Sequence, residues 1–281
     1  MNVIHNTLEP LYKCSRALII GINKYQKVSP LSYATHDAEG IYDVLVDDFK
    51  FKKENITLLI DGKATKKGIM DSFLKFANDD IENDDRVLIF FAGHGYTKTG
   101  MRGEVGYLVP YDADTNNLNT LIRWDDLTRN TELISAKHIL FIMDACYGGL
   151  AITRSTSSGS MRFIKDMLLR NSRQVLTAGK ANEVVSDEGG PIPNHSVFTG
   201  HLIEALKGKA ASEKGFITAN GVMSYVYQKV SSDINSEQTP HYGFLDGDGD
   251  FIFNHHKIEK MVNDDKIDKD LLVSVPYFAP S

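Results

Sequence analysis

The chain has 281 residues, of which 42% are hydrophobic and 24% are charged, so it is long enough to bury a large core. A net charge of −6 and a pI near 5.8 argue against binding to the phosphate backbone of nucleic acid, which needs a basic surplus. The sequence shows no apolar stretch of membrane-spanning length and no signal-peptide pattern at its start. Two cysteines are too few for a disulfide framework. We therefore expect a reducing, cytoplasmic setting with no membrane or nucleic-acid partner.

Short apolar runs without alternating polar residues predict strands that are buried on both faces. These runs are residues 17–22, 56–60, 87–92 and 139–143, with 174–178 as a fifth candidate. Apolar residues at helical spacing predict helices over 38–49 and 69–77, with Thr65 as a cap of the second, and further helices from Trp124, over 198–206 and over 221–230. The order predicts an α/β fold, a mainly parallel central sheet with helices on both faces.

Two of the predicted strands lead directly into reactive side chains. The run 87–92 is followed by His94, and the run 139–143 by Cys146. A thiol that attacks a carbonyl needs a base and N–H donors for the oxyanion; His94 would supply the first, and the backbone N–H groups of Gly95 and Cys146 the second. Taken alone, each residue has a non-catalytic interpretation: Cys146 as a cysteine packed in the core, and His94 as a structural histidine. Their joint placement at the ends of neighbouring strands favours a catalytic pair.

The order of elements, the Gly-His-Gly after the third strand and the Asp-Ala-Cys-x-Gly-Gly after the fourth resemble the caspase-like cysteine peptidases. Cys146 follows His94 at about the 50-residue spacing of caspases. The resemblance covers roughly residues 16–253 and implies a single caspase-like peptidase domain, with 254–281 as a C-terminal tail. It also implies hydrolysis of protein or peptide substrates through a Cys–His dyad and an acyl-enzyme, with no cofactor.

The residues around the cysteine resemble metacaspases more than caspases. Asp144, two positions before Cys146, is similar to the Asp-Ser-Cys pattern of metacaspases, which cut after Arg or Lys in a pocket with two acidic residues. Asp37 in a short His-Asp-Ala motif matches the second acid. The resemblance implies cleavage after Arg, then Lys. The alternative is that Asp37 caps its own helix, where Asp is favoured in the first turn. The metacaspase pattern often has a Cys three residues before the second acid and a Ser two residues before the histidine. This chain has Ala34 and Ala92 at those positions, which predicts a wider or more apolar pocket.

We expect no metal site. The run 246–250 lacks the Gly and Glu of an EF-hand loop, so we predict instead a β-turn between strands at 242–245 and 251–253. The histidines lack partners at zinc-ligand spacing. The acidic loop 79–85 is interpreted as a solvated turn, with calcium activation, common in metacaspases, as the alternative.

The stretch 152–173 is predicted to be a linker or activation loop, with a short helix over 163–169. A protease that cuts after basic residues would find self-cleavage sites there, and an uncut surface loop is the alternative. Its basic residues are Arg154, Arg162, Lys165, Arg170 and Arg173.

Three other functions fit the sequence less well than a protease that cuts after basic residues. A catalytically silent caspase-fold interaction module is disfavoured by the intact His94 and Cys146 pair. An Asp-specific protease is disfavoured by the acidic candidates, and a nucleotide sensor by the missing phosphate loop. The resemblance to bacterial family members predicts a role in stress or antiphage defence, with a separate activating or sensor partner.

Overall fold

A computed structural model describes residues 12–78, 80–101, 103–147, 161–180, 188–212 and 215–253, with the backbone alone at 146–147, 161–163, 165 and 180. The predicted tail, 254–281, lies outside these residues. No helix in the described ranges has both the length and the apolar character needed to cross a bilayer. In chain order the strands and helices are β1 (Ser15–Gly21), α1 (Ala34–Asp47), β2 (Ile56–Ile60), α2 (Lys66–Asn78), β3 (Arg86–Ala92), β4 (Gly95–Gly100), β5 (Gly103–Leu108), β6 (Ile122–Arg123), α3 (Trp124–Asn130), β7 (His138–Tyr147), α4 (Met161–Leu169), β8 (Ser172–Lys180), α5 (Val197–Glu204), β9 (Ile217–Thr218), α6 (Ala219–Ser231), β10 (His241–Gly247) and β11 (Ile252–Phe253).

The main sheet confirms the predicted α/β fold. Within the described residues it has the strand order β10-β8-β7-β3-β1-β2, and all neighbours are parallel except β10, which runs antiparallel to β8. Every residue of β3 is buried, as its unbroken apolar sequence predicts. The predicted helices form as well, and Thr65 caps α2 by accepting a hydrogen bond from the N–H of Gly68 at 3.0 Å.

Helices cover both faces of this sheet. Alternate strand residues separate into two clusters: Ile19 and Phe90 pack with α1, α5 and α6, whereas Ile20 and Phe91 pack with α2 and α3. Because successive side chains of a strand point to opposite faces, each central strand contributes to two separate hydrophobic cores. Burial of this apolar surface is the main force that holds the helices in place.

Two features differ from the sequence-based prediction. A small antiparallel sheet, β4-β5-β6, was not predicted, because β4 is polar and largely exposed and carries no apolar pattern. The predicted turn between 242–245 and 251–253 does not join a pair of strands, since β10 pairs with β8 and β11 pairs with β9. The N–H groups of Asp248 and Gly249 instead bond to the carbonyl oxygen of Asn171, and this contact directs the chain away from a hairpin.

A buried polar cluster lies at the amino ends of β3 and β7, opposite the carboxyl edge of the sheet. The Arg86 guanidinium packs on the rings of Tyr12 and Phe51, and its Cζ atom lies 4.6 Å from each ring centroid. It also donates to the carbonyl oxygen of Ile252. The Tyr12 hydroxyl donates to Nδ1 of His138 at 2.6 Å and accepts from the N–H of Ile252 at 3.0 Å. These contacts fasten the last described strand to the start of the domain.

Asp250, fully buried near this cluster, predicts a pH-dependent contribution to stability. Burial raises the pKa of Asp250 to about 6, so the folded protein takes up this proton before the unfolded chain does. Asp250→Asn keeps an acceptor for Gln174 and for the N–H of Asn220 but has no charge to desolvate. We expect the variant to be at least as stable as wild type near pH 7, and its advantage to shrink by up to about 3 kcal/mol as the pH falls to about 4. Urea unfolding of both proteins across this range measures the difference.

The comparison between variant and wild type also removes a competing effect. Burial lowers the pKa of His138 to about 4, so acidification below the ordinary histidine pKa destabilises both proteins. Because His138 is present in both proteins, this loss of stability cancels in the difference between their unfolding free energies. A difference in unfolding free energy that does not change with pH would contradict the assignment of a buried, charged Asp250.

Candidate active site

The parallel register brings three strand ends to one edge of the sheet. Gly21 of β1 pairs with Ala92 of β3, and Ala92 pairs with Asp144 of β7. His94 and Cys146 each follow two residues beyond this row. Because neighbouring strands lie about 4.8 Å apart, the backbone places these two residues at adjacent positions of the same edge.

His94 is held by the loop that follows β1. Its backbone N–H donates to the Tyr25 hydroxyl at 2.8 Å, and the two rings lie 5.0 Å apart. Its Nε2 lies 2.9 Å from the carbonyl oxygen of Ser29. A carbonyl oxygen only accepts, so Nε2 carries the hydrogen and Nδ1 of the neutral ring is the nitrogen that accepts a proton.

Gly93 makes this arrangement sterically feasible. A Cβ at this position would lie 2.7 Å from the Tyr25 hydroxyl oxygen and 2.9 Å from the Phe91 ring. Any larger residue would displace the hydroxyl that binds the His94 N–H. Neither Tyr25 nor Ser29 was predicted as a site residue, because nothing in their local sequence marks them as neighbours of a strand end more than 60 residues away.

Cys146 lies in the described backbone near the end of β7, whereas its side chain lies outside the described part of the structure. Along β7 the register with β8 shifts between Met143 and Cys146, so that three steps on β7 match two on β8. Such a bulge bends the strand and redirects side chains, and bulges are common beside active sites. Gly95, the other predicted oxyanion residue, begins β4 and pairs with Leu108. The roles of these two residues stay predictions.

Asp37 is not the N-cap of its own helix, although it does lie in the first turn. The N-cap of α1 is Tyr33, whose own side chain makes no capping hydrogen bond, and Oδ1 of Asn23 accepts from the N–H of Thr35 in the first turn at 3.1 Å. The Asp37 carboxylate instead reaches the start of α5, where its Oδ1 accepts from Nδ1 of His195 at 2.8 Å and from the N–H of Ser196 at 3.2 Å. The carboxylate is almost fully buried, with 1% of the residue exposed.

Asp144 reaches the same helix end from β7. Its Oδ2 accepts from Oγ of Ser196 at 2.5 Å and from Oγ1 of Thr199 at 2.6 Å. Asp144 is also buried, with 4% exposed. The structure therefore brings the two predicted acids to one residue, Ser196, whose N–H binds one carboxylate and whose hydroxyl binds the other.

Ser196, His195 and Thr199 were missed by the sequence analysis. A serine before an apolar helical run is an N-cap signature, and Ser196 does cap α5 by accepting from the N–H of Thr199. That local signal predicts a helix start but carries no information about Asp37, which lies far away in the sequence. The two alanines that replace the metacaspase Cys and Ser, Ala34 and Ala92, are both buried in the core.

The acidic loop before β3 is paired with basic side chains. Glu82 pairs with Lys13, Asp84 with Lys137 at 2.8 Å, and Asp85 with Arg16 at 3.7 Å. Asp79 lies outside the described residues. In the described part of the chain, no group of three His, Cys, Asp or Glu side chains is placed to hold a metal ion.

The linker prediction for 152–173 needs correction in its second half. The predicted short helix forms as α4, and β8 begins at Ser172. Arg170 pairs with Asp166 at 2.9 Å and with Asp248 at 2.5 Å, while Arg173 donates to the carbonyl oxygens of Lys137 and Ile134. Arg170 and Arg173 are therefore part of the folded domain and not of a linker. Arg154 lies outside the described residues, as do the side chains of Arg162 and Lys165.

Two solved structures have a similar fold. Caspase-1 from Spodoptera frugiperda aligns with a TM-score of 0.60 at 17% identity, over 87% of this chain and 91% of that one. Protein GSU0716 from Geobacter sulfurreducens aligns with a TM-score of 0.56 at 16% identity, over 82% and 93%. The described architecture is thus the caspase-type α/β sandwich.

Residues 14–248 match the caspase domain of peptidase family C14, and the chain belongs to that family. Curated relatives include metacaspase-6 of Arabidopsis thaliana, 29% identical over 70% of this chain, and metacaspase-1B of Aspergillus fumigatus, 24% identical over 83%. The alignments cover 54% and 58% of those two proteins, so the chain spans little more than half their length.

Tyr25→Phe tests whether the Tyr25 hydroxyl positions His94. The variant keeps the ring contact but leaves the His94 N–H without its acceptor, which costs on the order of 1 kcal/mol. We expect alkylation of Cys146 by iodoacetamide at neutral pH to slow about three- to tenfold, because a displaced imidazole stabilises the thiolate less well. Mass spectrometry of the Cys146 peptide measures the rate.

Two controls accompany this measurement. The other cysteine, Cys14, is an internal reference whose alkylation rate should not change. Tyr107→Phe removes a hydroxyl from β5 and leaves the Tyr25–His94 contact in place. Equal slowing in both tyrosine variants, or none in Tyr25→Phe, would rule out the positioning role.

Proposed function

We propose that this chain is a cysteine endopeptidase that cleaves peptide bonds after Arg, and less efficiently after Lys. The observation that carries the proposal is the pair of buried carboxylates, Asp37 and Asp144, which both bind Ser196. Asp144 itself lies two residues before the candidate nucleophile, Cys146. Family membership and the metacaspase relatives support the class of reaction.

The charge of the pair supports a basic substrate side chain. A guanidinium offers paired donors in a fixed plane and suits two adjacent carboxylates better than an ammonium does. A substrate aspartate would bring a third negative charge to the same place, which disfavours the Asp-specific alternative. Near the pair, Ala34 and Ala92 add no charge of their own.

The proposed chemistry needs no cofactor. His94 Nδ1 takes the proton of the Cys146 thiol, and the thiolate attacks the carbonyl carbon after the basic residue. The N–H groups of Gly95 and Cys146 stabilise the resulting oxyanion. His94 then protonates the leaving amine, and water hydrolyses the acyl-enzyme with His94 again as the base. In the neutral ring, the bond from Nε2 to the carbonyl oxygen of Ser29 selects the tautomer whose Nδ1 accepts the proton, and the same bond holds the imidazolium in place.

The setting of this activity is part of the proposal. The low cysteine count favours a cytoplasmic enzyme, and the resemblance to bacterial family members favours stress or antiphage defence. In such a system a separate partner protein would sense the signal and activate the protease.

A panel of fluorogenic peptides that differ only in the residue before the cleaved bond tests the specificity. We expect kcat/KM to be highest for Arg, about tenfold lower for Lys, and lower by at least about a thousandfold for Asp, because one misplaced charge costs several kcal/mol in a buried site. Cys146→Ala is the control for contaminating proteases and should cleave none of the peptides.

Other outcomes of this panel discriminate between the alternatives. A preference for Asp over Arg would contradict the acidic pocket. If wild type cleaves no peptide and an Arg-chloromethylketone fails to label Cys146, the catalytically silent interaction module is the better account.

Self-cleavage is expected between β7 and α4, and Arg154 is the candidate site. Incubation of wild type should give fragments of about 17 and 14 kDa, scaled from the 31.3 kDa of the whole chain. Cys146→Ala should stay intact, and Arg154→Gln should lose this cut while Arg170→Gln keeps it. Cleavage that persists in Cys146→Ala would show that another protease makes the cut.

A further inference from the structure

Ser196 joins the two acids of the proposed pocket through two separate donors. Its N–H binds Asp37 at 3.2 Å, and its hydroxyl binds Asp144 at 2.5 Å. Ser196 is itself 2% exposed, so neither contact is weakened by competing water. One residue thereby fixes the separation of two carboxylates that come from different elements, α1 and β7.

His195 completes the support on the Asp37 side. Its Nδ1 donates to the same Oδ1 atom of Asp37 at 2.8 Å. The ring lies so close to α1 that a Cβ on Gly40 would be 2.7 Å from its Cε1 atom. Asn194, the preceding residue, has a φ of 64°, a left-handed conformation that Asn tolerates better than most residues. The turn at Asn194 therefore directs the imidazole onto α1.

Electrostatics explains why such support is needed. Two like charges in one buried site repel each other, and burial removes the solvent that would screen them. Oδ2 of Asp144 accepts from the hydroxyls of Ser196 and Thr199, and Oδ1 of Asp37 accepts from the N–H groups of Ser196 and His195. The amino end of α5 adds a favourable partial positive charge.

We propose that His195 and Ser196 are specificity-determining positioning residues, which hold Asp37 and Asp144 at the spacing that a guanidinium requires. This inference rests on the proposed cleavage after basic residues. A guanidinium must meet both carboxylates in one plane, so its binding depends on their exact separation. An ammonium is a compact charge on a flexible stem and tolerates a shifted carboxylate. Loss of the support therefore weakens Arg recognition more than Lys recognition.

Paired substitutions separate the donor from the volume of each side chain. His195→Leu removes the ring donor, whereas His195→Asn keeps an N–H near the position of Nδ1. Ser196→Ala removes the hydroxyl, whereas Ser196→Thr keeps it. The control is His201→Leu. His201 lies on α5, the helix that Ser196 caps, and its Nε2 bonds to Asp233 and not to either acid of the pair.

The readouts are kcat and KM for matched Arg and Lys peptides and the alkylation rate of Cys146. For His195→Leu and Ser196→Ala we expect kcat/KM to fall about tenfold or more on Arg and about threefold or less on Lys, mainly through KM. Alkylation of Cys146 should stay within about twofold of wild type, because the nucleophile is untouched. The Asn and Thr variants should recover most of the Arg preference.

An unchanged ratio of Arg to Lys cleavage in both donor-deleting variants would overturn the inference while leaving the proposed function intact. The inference would also be overturned if His201→Leu changed the ratio of Arg to Lys cleavage as much as the donor-deleting variants do. The effect would then come from a general loss of stability. If Ser196→Ala fails to fold without its helix cap, the His195 pair decides the matter. Wild type that prefers Asp would instead refute the proposed function, and the inference with it.

Discussion

The parallel pairing of β3 with β1 on one side and β7 on the other is the constraint on which the rest of the structure depends. β3 is buried along its whole length, and its alternate side chains fill two separate cores. A slip of one residue would exchange those faces and is therefore strongly disfavoured. The same register aligns Gly21, Ala92 and Asp144 in one row. The position of the candidate site is thus set by the packing of the two cores and not by the polar contacts at the edge.

The polar contacts at that edge link the formation of a helix to the formation of a pocket. The Ser196 hydroxyl accepts from the N–H of Thr199, as an N-cap, and donates to Asp144 at the same time. An N-cap is worth on the order of 1 kcal/mol to a helix. Since one hydroxyl serves both purposes, a displacement of Asp144 would also disturb the start of α5. The proposed specificity and the local stability of α5 therefore depend on the same oxygen atom.

Features encoded in contiguous residues were predictable from the sequence. The buried strands are unbroken apolar runs, and His94 and Cys146 follow two of them directly, so topology alone places both residues at the carboxyl edge. The polar strand β4 has no such signal. The partner of β10 depends on long-range contacts, among them the N–H groups after β10 that bond to Asn171, and the local Asp/Gly run predicted a hairpin in its place.

The support of the acid pair was beyond local prediction for the same reason. Asp37 in the first turn of a helix has a good local explanation, favourable interaction with that helix end. The observed partners, His195 and Ser196, precede α5 and lie more than 150 residues away along the chain, so no local pattern around Asp37 indicates them. The resemblance to metacaspases identified the acids but gave no indication of what holds them.

The cluster around Arg86 has a consequence for a chain that is cut between β7 and α4. The two pieces would share the β7–β8 ladder, and Arg86 and Tyr12 on the first piece bind the backbone of Ile252 on the second. Separation of the two pieces would expose both hydrophobic cores to water, so we expect the pieces to stay together as a noncovalent complex. The acids would then reside on one polypeptide and the serine that joins them on the other. Neither piece alone would contain a complete binding site for a substrate side chain.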